Sequence, residues 1–322
     1  MKLILVVICL LAVASLSPPC EAQERPTPDI KDLPMGSNRV SGDRLALHPD
    51  ITGIALVRLR ITDMDASRKF YADILRLPQG TQGCFSPQGT TVCFFVSAQQ
   101  QVELVPGAAS DDGVEALGFR VSDAASMRKY LLARGVKCGE VTKSNSGDDV
   151  VEVRDPENHR ILFLSHKGGI AGSLPPSLIS NHLIHAGFVV RDRAAEDSFY
   201  KDILDFRLYW QGGMKEDETN WVAMQVPNGT SWLEYVLIVS PKADKHTLGV
   251  MNHISLGVSD IHATEQQLIK NGWKPGEKPQ MGRDGKWQLN LYDPDDTRVE
   301  FMEFTPVQKP CCSEFTGPHP KP

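Results

Sequence analysis

The sequence has no stretch of Lys and Arg that could track a phosphate backbone, and its 40 acids outnumber 34 Lys and Arg for a formal charge of -6. Nucleic-acid binding depends on neutralising phosphates, so no nucleic acid is expected as a partner. The apolar run at residues 3–13 is too short to span a bilayer, which takes roughly 20 residues. It follows Lys2 and leads to Pro18, Pro19 and a Cys20-Glu21-Ala22 end. That pattern reads as an export signal over residues 1–22 with cleavage after Ala22, giving a secreted or periplasmic protein without an integral membrane segment. Lipidation at Cys20 is an alternative that the two prolines before it fit poorly. Cysteine is scarce: Cys84, Cys93, Cys138, Cys311 and Cys312 follow the signal, and their odd number leaves at least one thiol unpaired within the chain. Export permits disulfides. Cys84 and Cys93 flank a hairpin-like SPQG and form the candidate pair, although spacing alone does not fix connectivity. Cys311 and Cys312 read as an inert tail, with metal binding or pairing between chains as the alternatives.

What is present is an ordinary globular composition, 41% hydrophobic and 23% charged, with length for about two domains. Residues 23–50 are rich in Pro, Asp, Arg and Ser and read as a disordered leader. Residues 51–166 and 181–305 form two domains, joined by a linker at 167–180 of Gly, Ser and Pro and followed by a disordered tail at 306–322. The domains repeat one another. FYADIL at 70–75 returns as FYKDIL at 199–204, and FRVSD at 119–123 as LGVSD at 256–260. VEVRDPENHRILFL from residue 151 returns within QLNLYDPDDTRVEFME from residue 288. Each domain reads twice as a strand, a short amphipathic helix and three strands.

Laid on their Asp-Pro pairs, the two copies place Glu300 on Leu162. Glu300 alternates with Met302 along a strand, on what reads as its inner face. A carboxylate there is costly unless something neutralises it.

The strand-helix-three-strand repeat with its Asp-Pro close resembles the vicinal oxygen chelate superfamily, which includes glyoxalase I, extradiol dioxygenases, fosfomycin-resistance transferases and bleomycin-binding proteins. The resemblance covers roughly residues 51–305. It implies an α+β fold: two tandem domains, each of paired βαβββ modules forming a cup-shaped mixed sheet. It also implies metal ligands on the first and fourth strands of each module. In the second domain those positions hold His185, Glu234, His253 and Glu300; in the first they hold Leu56, Glu103, Ala116 and Leu162. The first domain is thus expected to bind no metal. A single strand His is commonly a satisfied core residue, but four ligand types at four homologous positions, nearly all absent from the sister copy, form a set.

The set implies one divalent ion (Ni, Zn, Co or Mn) and a glyoxalase I-like lyase or isomerase acting by proton transfer on a small oxygen-chelating substrate. Glu300 is the first choice of base and Glu234 the second. An exported enzyme meets little glutathione, so the substrate is expected to differ from that of glyoxalase I. One alternative is an extradiol ring-cleaving dioxygenase, with Fe(II) on His185, His253 and Glu300. Against it, Asn290 stands where that family has Tyr, no His precedes it between residues 285 and 292, and Glu234 adds a fourth ligand. The other alternative is a non-catalytic binding cup of the bleomycin-resistance kind. Since the chain supplies both modules of each cup, a monomer suffices, with a homodimer also open. His182 lies on the strand face opposite His185 and reads as rim. The five Trp (210, 221, 232, 273, 287) all fall in the second domain and read mostly as core, some lining the cup. Arg283, Lys286 and Asn290 could steer an anionic group, with solvated positions expected for at least two of them.

Overall fold

The repeated units fold as two eight-stranded mixed sheets in the computed structural model, which describes residues 48–80, 84–85, 90–107, 113–165 and 178–322. In the first domain, β1 (Ile51–Ile61), β2 (Gln79–Gly80), β3 (Val92–Ser97), β4 (Gln100–Pro106), β5 (Val114–Val121), β6 (Thr142–Lys143), β7 (Asp149–Arg154) and β8 (Arg160–Ser165) take the order β2-β3-β4-β1-β5-β8-β7-β6. In the second, β9 (Leu183–Val189), β10 (Arg207–Gly212), β11 (Trp221–Gln225), β12 (Trp232–Val236), β13 (His253–Val258), β14 (Gln280–Met281), β15 (Trp287–Tyr292) and β16 (Arg298–Glu303) repeat that order one for one. First and last strands of each module pair in parallel, and the two modules of a domain join through their antiparallel first strands. This is the expected α+β architecture.

The helices start where an Asp side chain accepts from a backbone N–H of the first turn. Asp63, Asp123, Asp192, Asp244 and Asp260 cap α1 (Met64–Arg68), α2 (Ala124–Ala133), α3 (Arg193–Asp197), α4 (Lys245–Met251) and α5 (Ile261–Lys270). The sequence pattern did not foreshadow α4. The two Phe-Tyr repeats continue α1 and α3 as π-helical turns over Lys69–Ile74 and Ser198–Ile203, burying Tyr71 and Tyr200. One hydrophobic core, with Phe119 edge-on to Phe206 at 5.2 Å, holds residues of both sheets and of helices from both domains. The cup interiors carry separate clusters. Every residue of β9 and of β13 is therefore buried, one face in the core and the other in a cup.

The domains meet in a pseudo-twofold exchange. Tyr71 of the first domain donates to Asp293 of the second at 3.0 Å, and Tyr200 of the second donates to Asp155 of the first at 3.0 Å. Both acids belong to the repeated Asp-Pro turns.

Three expectations about order need correction or bounds. The tail at 306–322 is placed rather than disordered: Thr316 N donates to Tyr209 O at 3.0 Å, Trp210 Nε1 to Cys311 O at 3.2 Å, and Ser313 Oγ to Gln211 O at 2.9 Å. Its residues alternate between half-buried and exposed from 311 to 319, as an extended segment does along a sheet edge. It covers β10, the outermost strand, which would otherwise offer unpaired backbone groups. A proline-rich sequence suits that role because an extended chain held by side chains and a few carbonyls needs little backbone pairing of its own. The signal segment 1–22, most of the leader and residues 166–177 of the domain junction lie outside the described residues. His48, expected in the leader, bonds Asp205 at 3.1 Å, and Ser180, expected in the linker, donates to Gly257 O at 2.7 Å.

Cys84 and Cys93 are joined, with Cα atoms 5.6 Å apart, although Cys84 lies outside any strand. Cys311 and Cys312 are joined to each other rather than free, and Cys138 carries a free thiol. No helix among the described residues is long and apolar enough to cross a membrane.

Candidate metal centre

The register of four strands brings the four expected residues to one spot at the floor of the second cup. β9 and β13 place Ser255 opposite His185 and Gly187 opposite His253. β16 adds Glu300 beside Ser255, and β12 adds Glu234 beside Gly187. His185 Nε2 lies 3.0 Å from His253 Nε2 and 3.1 Å from Glu300 Oε2, while His253 Nε2 lies 3.4 Å from Glu234 Oε2. His185, His253 and Glu300 offer ligand atoms all within 4.8 Å of one another.

Gly187 makes this approach possible. A Cβ there would stand 2.1 Å from His253 Cε1, so any larger residue would expel the imidazole. Trp232 stacks on His185 with ring centroids 4.8 Å apart and fixes the other ring.

Proton counting tests whether a cation fits. His253 Nδ1 faces Met251 O at 2.9 Å, which keeps the ring proton on Nδ1 and leaves Nε2 a lone pair. Around His185 Nε2 stand one imidazole nitrogen and one carboxylate oxygen, and a single proton satisfies only one of them. Burial, then the charge of Arg298, holds the His253 pKa below its ordinary value, so the ring is neutral and able to ligate. Burial alone would raise Glu300, but its bond to His185 and the charges of His185 and Arg298 outweigh it and bring it to about 2. Burial opposes the ionisation of Glu234 too, yet His253 and His185 hold it below the ordinary range. Two imidazoles and two carboxylates, converging and short of protons, are a donor set that fits a divalent cation.

The first cup carries its positive charge as part of the chain. Arg58 occupies the position of Gly187, and its Nε donates to Glu103 Oε2 at 2.8 Å; Glu103 Oε1 accepts from Phe85 N at 2.6 Å. Leu56, Ala116 and Leu162, at the other three homologous positions, pack with Ala55, Phe85 and Leu164 into an apolar plug. Glu103 is thus spoken for by a guanidinium, and among the described residues this cup offers no set of donors for an ion.

Above the second floor lies a cavity of about 280 Å³ lined by Glu234, Glu300, Tyr209, Trp210, Trp221 and Trp232 among others. Three of the five Trp therefore face the cavity, more than expected, while Trp273 and Trp287 belong to the core. Of Arg283, Lys286 and Asn290, at least two of which were expected to be solvated, Lys286 and Asn290 are buried; Arg283 is exposed and donates to Gly213 O at 3.0 Å. Lys286 Nζ sits 4.6 Å over the Trp232 ring and 5.2 Å over Phe315. Burial brings its pKa down to about 8, although Asp284, Glu300 and Glu234 pull the other way. Arg298 and the tail residue Phe315 also line the cavity, and His319 contacts the Tyr209 hydroxyl. Sequence reasoning assigned none of these three. Arg298 was legible in its alternation with Glu300, whereas the tail carried no periodic signal. His182 stays away from the floor, bonded to Asn181 at 2.9 Å.

Residues 182–301 match the model of the Glyoxalase/Bleomycin resistance protein/Dioxygenase superfamily. The second domain belongs to this vicinal oxygen chelate superfamily. Lactoylglutathione lyase of Haemophilus influenzae is 27% identical over 123 residues, covering 38% of this chain and 91% of that protein. The two-domain fold is similar to that of the 2,3-dioxygenase LapB from Pseudomonas sp. KL28, with a TM-score of 0.63 at 16% identity over 86% of this chain and 96% of that one. It is also similar to homoprotocatechuate 2,3-dioxygenase from Arthrobacter globiformis, with a TM-score of 0.61 at 19% identity over 80% of each chain. A lyase is thus similar in sequence over little more than a third of this chain, and two dioxygenases are similar in fold over most of it.

Proposed function

We propose that the protein is an exported, divalent-metal-dependent enzyme of lyase or isomerase type that moves a proton on a small oxygen-chelating substrate. The observation that carries this reading is the convergence of His185, His253 and Glu300, with Glu234 beside His253, at the floor of the cavity. A divalent ion held there would supply Lewis-acid polarisation of two substrate oxygens. Glu300, ionised and at the cavity floor, would take the proton from the carbon next to the polarised oxygen; Glu234, facing it across the site, is the second candidate. Arg298 adds positive charge to the wall, Lys286 lies buried against the outer face of Trp232, and three Trp side chains make much of the wall apolar. The Cys84–Cys93 and Cys311–Cys312 pairs support an oxidising compartment, in keeping with removal of residues 1–22.

The test is proton exchange. Protein reconstituted with Ni, Zn, Co or Mn is incubated in D₂O with a panel of small α-oxo and α-hydroxy carbonyl compounds, and loss of the α C–H signal is followed by NMR. We expect exchange for at least one compound, abolished in Glu300→Gln, which removes a ligand and so is expected to lose the metal as well. Equal exchange in Glu300→Gln would remove Glu300 as the base.

A second reading, extradiol ring cleavage with Fe(II), is supported by the compact His185, His253 and Glu300 trio and by the similarity in shape to two-domain dioxygenases. The contact of Tyr209 with His319 supplies a phenol-imidazole pair beside the cavity. Oxygen uptake with a catechol and bound iron would move this reading ahead.

A further inference from the structure

We propose a second divalent-cation site, independent of the cup, in which Asp155 and His159 of the first domain and Glu196 of the second clasp the two domains together. One ligand atom from each lies within 4.8 Å of the others, and His159 Nδ1 stands 2.8 Å from Asp155 Oδ2. Asp155 and His159 open and close the first Asp-Pro turn, and Glu196 projects from α3 across the domain boundary.

Glu196 points to a ligand by its own state. It is 0% exposed; Oε1 accepts from Glu157 N at 3.0 Å, and Oε2 has no hydrogen-bond partner. A buried carboxylate with an idle oxygen, beside a second buried carboxylate, is costly unless a cation joins them. Burial and then the Asp155 charge push its pKa up to about 8, which shows how poorly the bare cluster tolerates that charge.

The pseudo-twofold supplies an internal comparison. In the opposite contact Tyr71 donates to Asp293 just as Tyr200 donates to Asp155, so the two frames match. There the positions of Glu196 and His159 are held by Ser67 and Thr297, whose buried hydroxyls are neutral. One contact thus has an ordinary polar seam, and the other has two carboxylates and an imidazole in the same places. His159, stacked on Phe188 at 4.4 Å, also lines a surface cleft with Arg191 and Asp244, which gives an ion a way in. Two oxygen donors and one nitrogen suit Mn²⁺ or Zn²⁺.

The experiment uses the full chain after signal removal, stripped with a chelator, reloaded with Mn²⁺ or Zn²⁺ and desalted, with metal counted by elemental analysis. Wild type should hold two equivalents and His253→Ala one. Glu196→Ser/His159→Thr, which copies the opposite seam and so should fold, should also hold one. Added metal should raise the Tm of His253→Ala but not that of a variant combining all three substitutions. A Glu196→Ser/His159→Thr protein with the wild-type metal content overturns the proposal. So does a His253→Ala protein with no metal. A metal-free cup would fail separately, leaving one equivalent that His253→Ala keeps and Glu196→Ser/His159→Thr loses.

Discussion

Glu103→Gln separates what holds the first cup together from what the second cup binds. Arg58 and Glu103 are 6% and 0% exposed in their side chains and meet at 2.8 Å, so the variant leaves a guanidinium buried against an amide that also carries donors. Removing one partner of a buried pair costs about 3–5 kcal/mol, chiefly because the surviving charge is uncompensated. At 2–4 °C per kcal/mol for a unit of roughly 150–250 residues, Tm should fall by on the order of 10 °C. The loss is one of charge compensation rather than of packing. Arg58→Met/Glu103→Leu, filling the same space beside Leu56 and Leu162, should therefore recover much of the loss, the remaining deficit of about 1–3 kcal/mol being the Phe85 N–H left without its acceptor. Calorimetry measures the stability, and elemental analysis on the same samples should find the metal content of all three proteins equal. The reasoning is refuted if Glu103→Gln loses an equivalent of metal, or if the double variant is as unstable as the single one.

Gly187→Ala should fold yet lose one equivalent of metal, because a Cβ 2.1 Å from His253 Cε1 must push the ring off the site; retention of both metal and His253 geometry would count against the assigned floor. Lys286, lowered to about 8 by burial, binds fewer protons folded than unfolded between about pH 8 and 10.5, so stability should rise with pH across that window. The rise should approach 3 kcal/mol, at about 1.4 kcal/mol per pKa unit, and Lys286→Met should flatten it in urea titrations run from pH 7.5 to 10.5. Deleting residues 306–322 should uncover β10 and open the cavity wall at Phe315, detected as self-association on size-exclusion chromatography and as altered Trp fluorescence.

The internal repeat made most of the fold legible, since a motif read four times constrains strand order far better than one read once. The Asp-Pro turns, the Phe-Tyr helices and the contrast of Glu300 with Leu162 follow from laying one half of the chain on the other, while the full set of four positions at the cup floor came from the resemblance to the superfamily. What escaped notice lay where the halves differ without a change of ligand type. Arg58 stands over Gly187, a substitution that looks neutral for metal binding until the sheet register shows a guanidinium at the place that Gly187 leaves open for the His253 ring. Lys286 reads as a surface residue because lysine seldom tolerates burial; three aromatic rings and nearby carboxylates make the exception. The tail has no counterpart in the first half, and its order comes from contacts with an edge strand, which no local pattern encodes. Glu196 sat unnoticed in a helix too short to show a polar face, and only the meeting of the domains places it beside Asp155 and His159.

The most direct test of the cup is the difference in metal content between wild type and His253→Ala, both purified without added chelator or affinity metal. A difference of one equivalent of Ni, Zn, Co or Mn is the predicted result, and iron in that place would favour ring cleavage. Equal metal content in the two proteins would contradict the assignment of His185, Glu234, His253 and Glu300 as a metal centre.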